Sequence, residues 1–168
     1  MAQTENTLYA DRIGKIRGLG YDAVIISGTD PHSSEYPAPR WKQVAWASGF
    51  TGEAGDLVVT QDHAGLWTDT RFFIQANQQL AGSGIELHKT RVPDEVLIPQ
   101  WLAGHFQQHP VKIAFDGLCQ SVGAIRELDD TLRAAYGLGG YELIDRPDLL
   151  GGLWSDRPAI PHSQVEWL

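Results

Sequence analysis

The chain is poor in sulfur and in positive charge, and each shortage excludes something. Cys119 is the single cysteine and Met1 the single methionine in 168 residues, so no disulfide within the chain can staple the fold. A lone thiol of this kind reads as a small buried hydrophobe rather than a nucleophile. Thirteen Lys and Arg stand against 21 Asp and Glu, for a net charge of -8, and the basic residues are scattered. A phosphate-backbone footprint needs them clustered, so nucleic acid is excluded as a partner. No stretch approaches the ~20 apolar residues of a membrane span, and the polar start, Met1-Ala2-Gln3-Thr4-Glu5-Asn6, has neither a basic n-region nor an apolar h-region. These absences predict a cytosolic protein with no membrane partner.

What is present is enough for one ordinary core: 42% of residues are hydrophobic and 10% aromatic. Leu8, Ile13 and Ile16 at near-helical spacing predict a helix over 7–17, closed by Gly18-Leu19-Gly20. The unbroken run Ala23-Val24-Ile25-Ile26-Ser27 predicts a central strand covered on both faces. Residues 28–40 are crowded with Gly, Pro, Ser and Asp and predict a long loop, a feature more often functional than decorative. A short helix leading to an extended end is expected within 41–50. Strands over 54–60 and 65–68, joined by Gln61-Asp62-His63-Ala64, predict an antiparallel hairpin. Then follow a helix over 70–80 with Phe72, Phe73 and Ala76 available to the sheet, a strand over 85–90 and a helix over 93–106. A strand over 111–115, a helix over 121–136 and a strand over 141–144 complete the pattern. The class is α/β, a mixed sheet flanked by helices. A short helix can follow within 146–154; 155–168, rich in Pro, is expected to be a linker, so that the domain comprises 1–154 and the chain stops at a domain boundary.

Chemistry native to the chain is hard to find. His105 and His109 are four apart, but Phe106 stands where a zinc peptidase needs glutamate and Pro110 ends the helix, so they read as polar residues at a helix C-terminus. His32, His63, His88 and His162 lie far apart, and no metal cluster is legible. Gly18-Leu19-Gly20 and Gly137-Leu138-Gly139-Gly140 follow helices and precede strands, the reverse of a dinucleotide loop, and read as helix caps. Ser48-Gly49-Phe50-Thr51-Gly52 lacks the Gly-x-Ser-x-Gly elbow. Asp129-Asp130 reads as a solvated helix surface. Arg71 stands out, because it falls at a strand-to-helix junction, where the helix's partial positive charge disfavours a cation. Either it pairs with Asp69 on the surface or it faces something acidic beyond its own helix.

Three stretches carry a resemblance: Asp30-Pro31-His32-Ser33-Ser34-Glu35-Tyr36, Ala47-Ser48-Gly49-Phe50-Thr51-Gly52-Glu53-Ala54-Gly55, and Leu66-Trp67-Thr68-Asp69-Thr70-Arg71-Phe72-Phe73. In order and spacing they resemble the first domain of three-domain Xaa-Pro aminopeptidases, the aminopeptidase P enzymes of the creatinase and prolidase superfamily. The resemblance implies a mixed six-stranded sheet with helices on both faces, and a chain that is silent alone. Hydrolysis in the family belongs to a later domain where two aspartates, a histidine and two glutamates hold two divalent ions, usually manganese; no cofactor and no catalytic or metal-ligating residue is assigned within this chain. It further implies a dimer and a peptide substrate met by Arg71, the arginine of the Trp-Thr-Asp-x-Arg motif, with His32, Glu35 and Tyr36 as liners of the same cleft. Thr70 stands where many relatives have glycine, which bears on the turn that aims Arg71, and Glu53 where they often have serine, which adds charge near the loop; neither removes the arginine, and both leave substrate preference open. The competing expectation is a free-standing module that kept the fold and binds peptides or a protein without any hydrolase.

Overall fold

A computed structural model describes residues 2–160 and 162, with the side chains described from residue 7 onward. In chain order the first half holds α1 (Ala2–Arg17), β1 (Ala23–Ile26), α2 (Gln43–Ser48), β2 (Asp56–Thr60), β3 (Ala64–Thr68) and α3 (Phe73–Gln79). The second half holds β4 (Glu86–Lys89), α4 (Ile98–His105), β5 (Val111–Phe115), α5 (Val122–Tyr136) and β6 (Tyr141–Asp145). The six strands form one mixed sheet in the order β4-β3-β2-β1-β5-β6. β2 runs antiparallel to β1 and to β3, and the other pairs are parallel.

The unbroken apolar run of β1 is buried on both faces, as its central place requires. Val24 and Ile26 join Leu57, Val59 and Leu66 beneath α1, α2 and α3, through Ile16, Ala47 and Ala76. Ala23 and Ile25 join Val58, Ile113 and Phe115 beneath α4 and α5, through Leu102, Leu128 and Leu132. Each fully buried Leu or Ile of these two layers contributes about 1.5–3 kcal/mol relative to leaving it in water. The glycine runs act as helix ends: Gly18 donates its N–H to Gly14 O at 3.0 Å, and Gly137, at φ 72°, donates to Arg133 O at 2.9 Å. Cys119 is buried, and loss of water pushes its thiol up to about 12.

Several elements differ from the expected ones: α1 begins at Ala2 rather than 7 and β2 at Asp56 rather than 54, and three further differences have a visible cause. α3 starts at Phe73 rather than 70, because the Phe72 N–H closes a turn onto Asp69 O at 3.0 Å. Of its two phenylalanine-rich positions, Phe72 meets Phe50 edge-on at 6.0 Å, while Phe73 is half-buried and Ala76 alone of the helix is fully covered. α4 starts at Ile98, with Pro99 in its first turn where a missing N–H costs nothing. Residues 91–97 are loop, with Arg91 and Asp94 in the left-handed region at φ 58° and 59°. Residues 146–154 form turns instead of a helix, and Trp154 stacks on Trp46 at 5.4 Å. The chain leans on the domain a little further, since the Arg157 side chain is buried near Trp41 and Trp154 and donates from Nε to Arg40 O at 3.0 Å. Of the expected linker, Pro161 and residues 163–168 lie outside the described residues. Among the described residues no helix is long and apolar enough to cross a membrane.

Candidate functional site

Because β2 is antiparallel to both neighbours, the C-terminal ends of β1 and β3 and the N-terminal end of β2 fall at one end of the sheet. Three connections meet there: residues 27–40, 49–55 and 69–72. They enclose a cleft of about 340 Å³ lined by Ser27, Gly28, Thr29, Ser34, Glu35, Glu53, Ala54, Gly55, Asp56 and Arg71. The first two connections approach so closely that a Cβ on Gly28 would lie 2.2 Å from the Gly55 carbonyl oxygen, which leaves room for glycine alone.

Arg71 sits in the turn before α3 rather than in the helix, so the helix dipole bears on it less than the sequence implied. Its guanidinium makes a two-toothed contact with Asp69, from Nε to Oδ1 at 3.0 Å and from Nη2 to Oδ2 at 2.8 Å. Asp69 is buried and also accepts the Arg71 backbone N–H at 3.1 Å, so one carboxylate fixes both the turn and the side chain. Among the described residues Nη1 has no protein partner, and the arginine is otherwise exposed on the cleft rim. Its pKa is raised, first by the hydrogen bonds and charge of Asp69 and then by Glu53 and Glu35, while the guanidinium holds Asp69 below the usual carboxylate range. Thr70 does not enter the left-handed region, so the β-branched residue fits this turn without the conformation that glycine would permit.

A second carboxylate shapes the long loop. Asp30 is buried and accepts the backbone N–H groups of His32 and Ser34, both at 2.9 Å, around Ser33 at φ 54°. The Ser34 contact leads in lowering its pKa. This scaffold brings Glu35 to the Arg71 cleft. Tyr36 instead lines an adjoining hollow of about 200 Å³ with Lys42, Val44 and Phe50, sharing Gly28, Glu53 and Gly55 with the cleft. His32 is exposed and lines neither. Asp56 lies on the cleft floor, accepting from Gly28 N at 2.9 Å and Ser27 Oγ at 3.3 Å, and loss of water raises its pKa despite those two bonds.

At the opposite end of β3 the structure assembles a group that linear spacing did not reveal. His105 and His109 separate: His109 rests on the Tyr136 ring at 4.2 Å, while His105 meets Asp62 Oδ1 from Nε2 at 3.0 Å and stacks on Trp101 at 4.2 Å. Beside it the Nε2 atoms of His63 and His88 are 3.1 Å apart, with Glu86 Oε2 3.8 Å from His63 Nδ1. Burial lowers the pKa of both rings, favouring the neutral form. The sequence shows only that Glu86 and His88, two apart, share one face of a strand; the register that pairs Gly65 with Glu86 and Trp67 with His88 is what brings them beside His63. Among the described residues, His63, Glu86 and His88 are the one set of three such groups near enough to share an ion. Two imidazoles and one carboxylate are not the carboxylate-rich, five-ligand set of a dinuclear centre, so this set among the described residues does not fit the two-ion chemistry that the resemblance places in a later domain.

The Creatinase/Prolidase N-terminal domain matches residues 13–147. Aminopeptidase P2 of Arabidopsis thaliana is 36% identical over 151 residues, covering 88% of this chain and 20% of that protein. Xaa-Pro aminopeptidase app-1 of Caenorhabditis elegans is 34% identical over 144 residues, covering 85% and 23%. Among solved structures, X-prolyl aminopeptidase from Caenorhabditis elegans, described as a cytosolic enzyme with a di-nuclear active site, superposes with a TM-score of 0.82 at 30% identity, over 91% of this chain and 26% of that one. The N-terminal domain of the cytoplasmic peptidase PepQ from Mycobacterium tuberculosis gives 0.55 at 25% identity, over 88% and 98%. The chain therefore spans about a fifth to a quarter of the length of the aminopeptidases it matches.

Proposed function

We propose a function from one premise: the chain belongs to the Creatinase/Prolidase N-terminal domain family. It matches the N-terminal domain of Xaa-Pro aminopeptidases, and it serves such an enzyme as a non-catalytic domain that meets the peptide substrate. Residues 1–154 make the domain and 155–168 the connection toward a separate catalytic domain with two divalent ions, manganese by family likeness. A cytosolic location and a dimer to which this domain contributes contacts belong to the same proposal; the cytosolic, di-nuclear description of the Caenorhabditis elegans enzyme supports the location and the pair of ions.

The observation that carries this reading is the half-used fork of Arg71. Asp69 takes Nε and Nη2, which fixes the aim of the guanidinium, and Nη1 is left for a carbonyl or carboxylate of the substrate. A planar fork held by a buried partner loses little freedom on binding, which suits it to recognition at a domain edge. Glu35 completes the acidic wall of the cleft, with Tyr36 next door; His32 joins them only if the substrate extends along the loop. The surface-pair reading of Arg71 is contained in this one, because the pair with Asp69 is what positions the arm.

The test has two arms. The isolated chain is expected to release no first residue from Xaa-Pro peptides with manganese present, and robust activity in a pure preparation ends the proposal. In an enzyme that carries this domain, Arg71→Ala is expected to lower kcat/KM by about tenfold to a thousandfold, and unchanged kinetics returns Arg71 to a purely structural pair.

A further inference from the structure

We infer that His63, His88 and Glu86 form a binding site for one divalent transition-metal ion of the zinc class, at the end of β3 remote from the Arg71 cleft. The distances suit it. Two nitrogens each about 2.0–2.1 Å from one zinc ion in tetrahedral geometry stand about 3.3 Å apart. The Nε2 atoms of His63 and His88 stand 3.1 Å apart, and one donor atom from each of the three residues lies within 4.8 Å of the others.

The two imidazoles are held in place before any ion arrives. His88 lies flat on Trp67 at 3.8 Å with 6° between the rings, and His63 rests against Trp101 at 4.7 Å. A Cβ at residue 65 would come within 2.7 Å of both His63 Nε2 and His88 Cδ2, so Gly65 is what allows the rings to meet. Glu86, by contrast, has a side chain 67% exposed on the edge strand, free to swing its carboxylate toward the pair. The site is thus rigid on the nitrogen side, open toward solvent, and able to complete its coordination with water. Two nitrogens and one carboxylate suit zinc, cobalt, nickel or copper, whereas magnesium and calcium seek oxygen. Without an ion, a neutral His–His hydrogen bond accounts for the 3.1 Å contact and Glu86 Oε2 faces the other nitrogen of His63, Nδ1, at 3.8 Å; an ion between the two Nε2 atoms would draw that exposed carboxylate round to their side. A bound ion would also tie the hairpin turn to β4, an edge strand held by one neighbour.

The experiment titrates the tag-free chain with Zn²⁺ in a calorimeter and with Co²⁺ by visible absorption. One ion per chain is expected, with an intense Co²⁺ d–d band of low coordination number. Glu86→Gln, at an exposed position that does not threaten the fold, is expected to weaken binding by about tenfold or more, as is His88→Gln, while His109→Gln leaves it unchanged. Absence of binding, or affinity unchanged in Glu86→Gln, overturns the inference, and should His88→Gln fail to fold, the glutamate variant still decides.

Discussion

Asp69 and Arg71 share two hydrogen bonds across opposite environments: the carboxylate side chain is 6% exposed and the guanidinium side chain 61%. The buried partner is the anchor and the exposed one the arm. An ordinary surface pair leaves both groups free to drift, and contributes little for that reason. Here only one of the two can move.

Removing the anchor should therefore act through the arm. In an enzyme carrying this domain, Asp69→Ala is expected to lower kcat/KM nearly as far as Arg71→Ala, and the double variant to lose much less than the sum of the two. Steady-state kinetics on an Xaa-Pro peptide measures the cycle. Additive losses would mean that Asp69 does not position Arg71.

Gly28 and Gly14 make a second pair of variants with opposite signs. Gly28→Ala places a methyl 2.2 Å from a backbone oxygen and is expected to destabilise the fold by about 1–3 kcal/mol. Gly14→Ala, exposed in the middle of α1 with nothing within 4 Å of the new methyl, is expected to stabilise it by about 0.5–1 kcal/mol. Urea unfolding of the chain reads both.

Asp56 gives a pH dependence of unusual sign. Loss of water raises its folded pKa above the unfolded value of about 3.9, so its ionisation weakens the fold as pH rises through and above that value. Asp56→Asn, which keeps an acceptor for the Gly28 N–H, is expected to be as stable as the parent or more so at pH 7, and to lose that advantage near pH 3. Denaturation midpoints at the two pH values decide it.

Asp30 works in the other direction. Its folded pKa is depressed, so its contribution is present above about pH 3.9 and is lost as pH falls through the lower folded value. Asp30→Ala is expected to remove amide-exchange protection at His32 and Ser34 at every pH, whereas acid should do so reversibly in the parent chain. Hydrogen exchange followed residue by residue gives the answer.

The parts that were readable in the sequence share a physical cause. β1, β5 and the β2–β3 hairpin announce themselves because burial on a strand is written in adjacent or alternating residues, and the stretch around Arg71 marks a strand end. The start of α3 was not readable, because Thr70, Arg71 and Phe72 tolerate helix or turn equally and a buried carboxylate two residues away decides between them. The start of α4 was expected at Pro93, and the left-handed backbone at Arg91 and Asp94, which no local pattern announces, keeps residues 91–97 out of the helix and moves its start to Ile98. His63 and His88 needed the register of β3 against β4, which no local pattern contains. Glu35 and Arg71 line one cleft for a similar reason: the antiparallel run of β1, β2 and β3 returns both loops to one end of the sheet.

Cys119 has a practical use that follows from its burial. A thiol pushed up to about 12 and enclosed by protein stays protonated and unreactive at neutral pH. A cysteine introduced at an exposed place such as Ile74, 77% accessible on α3, would then be the one group that takes a maleimide dye or a spin label. The native thiol need not be removed first, so distances from the Arg71 cleft to any companion domain can be measured on an otherwise unaltered chain.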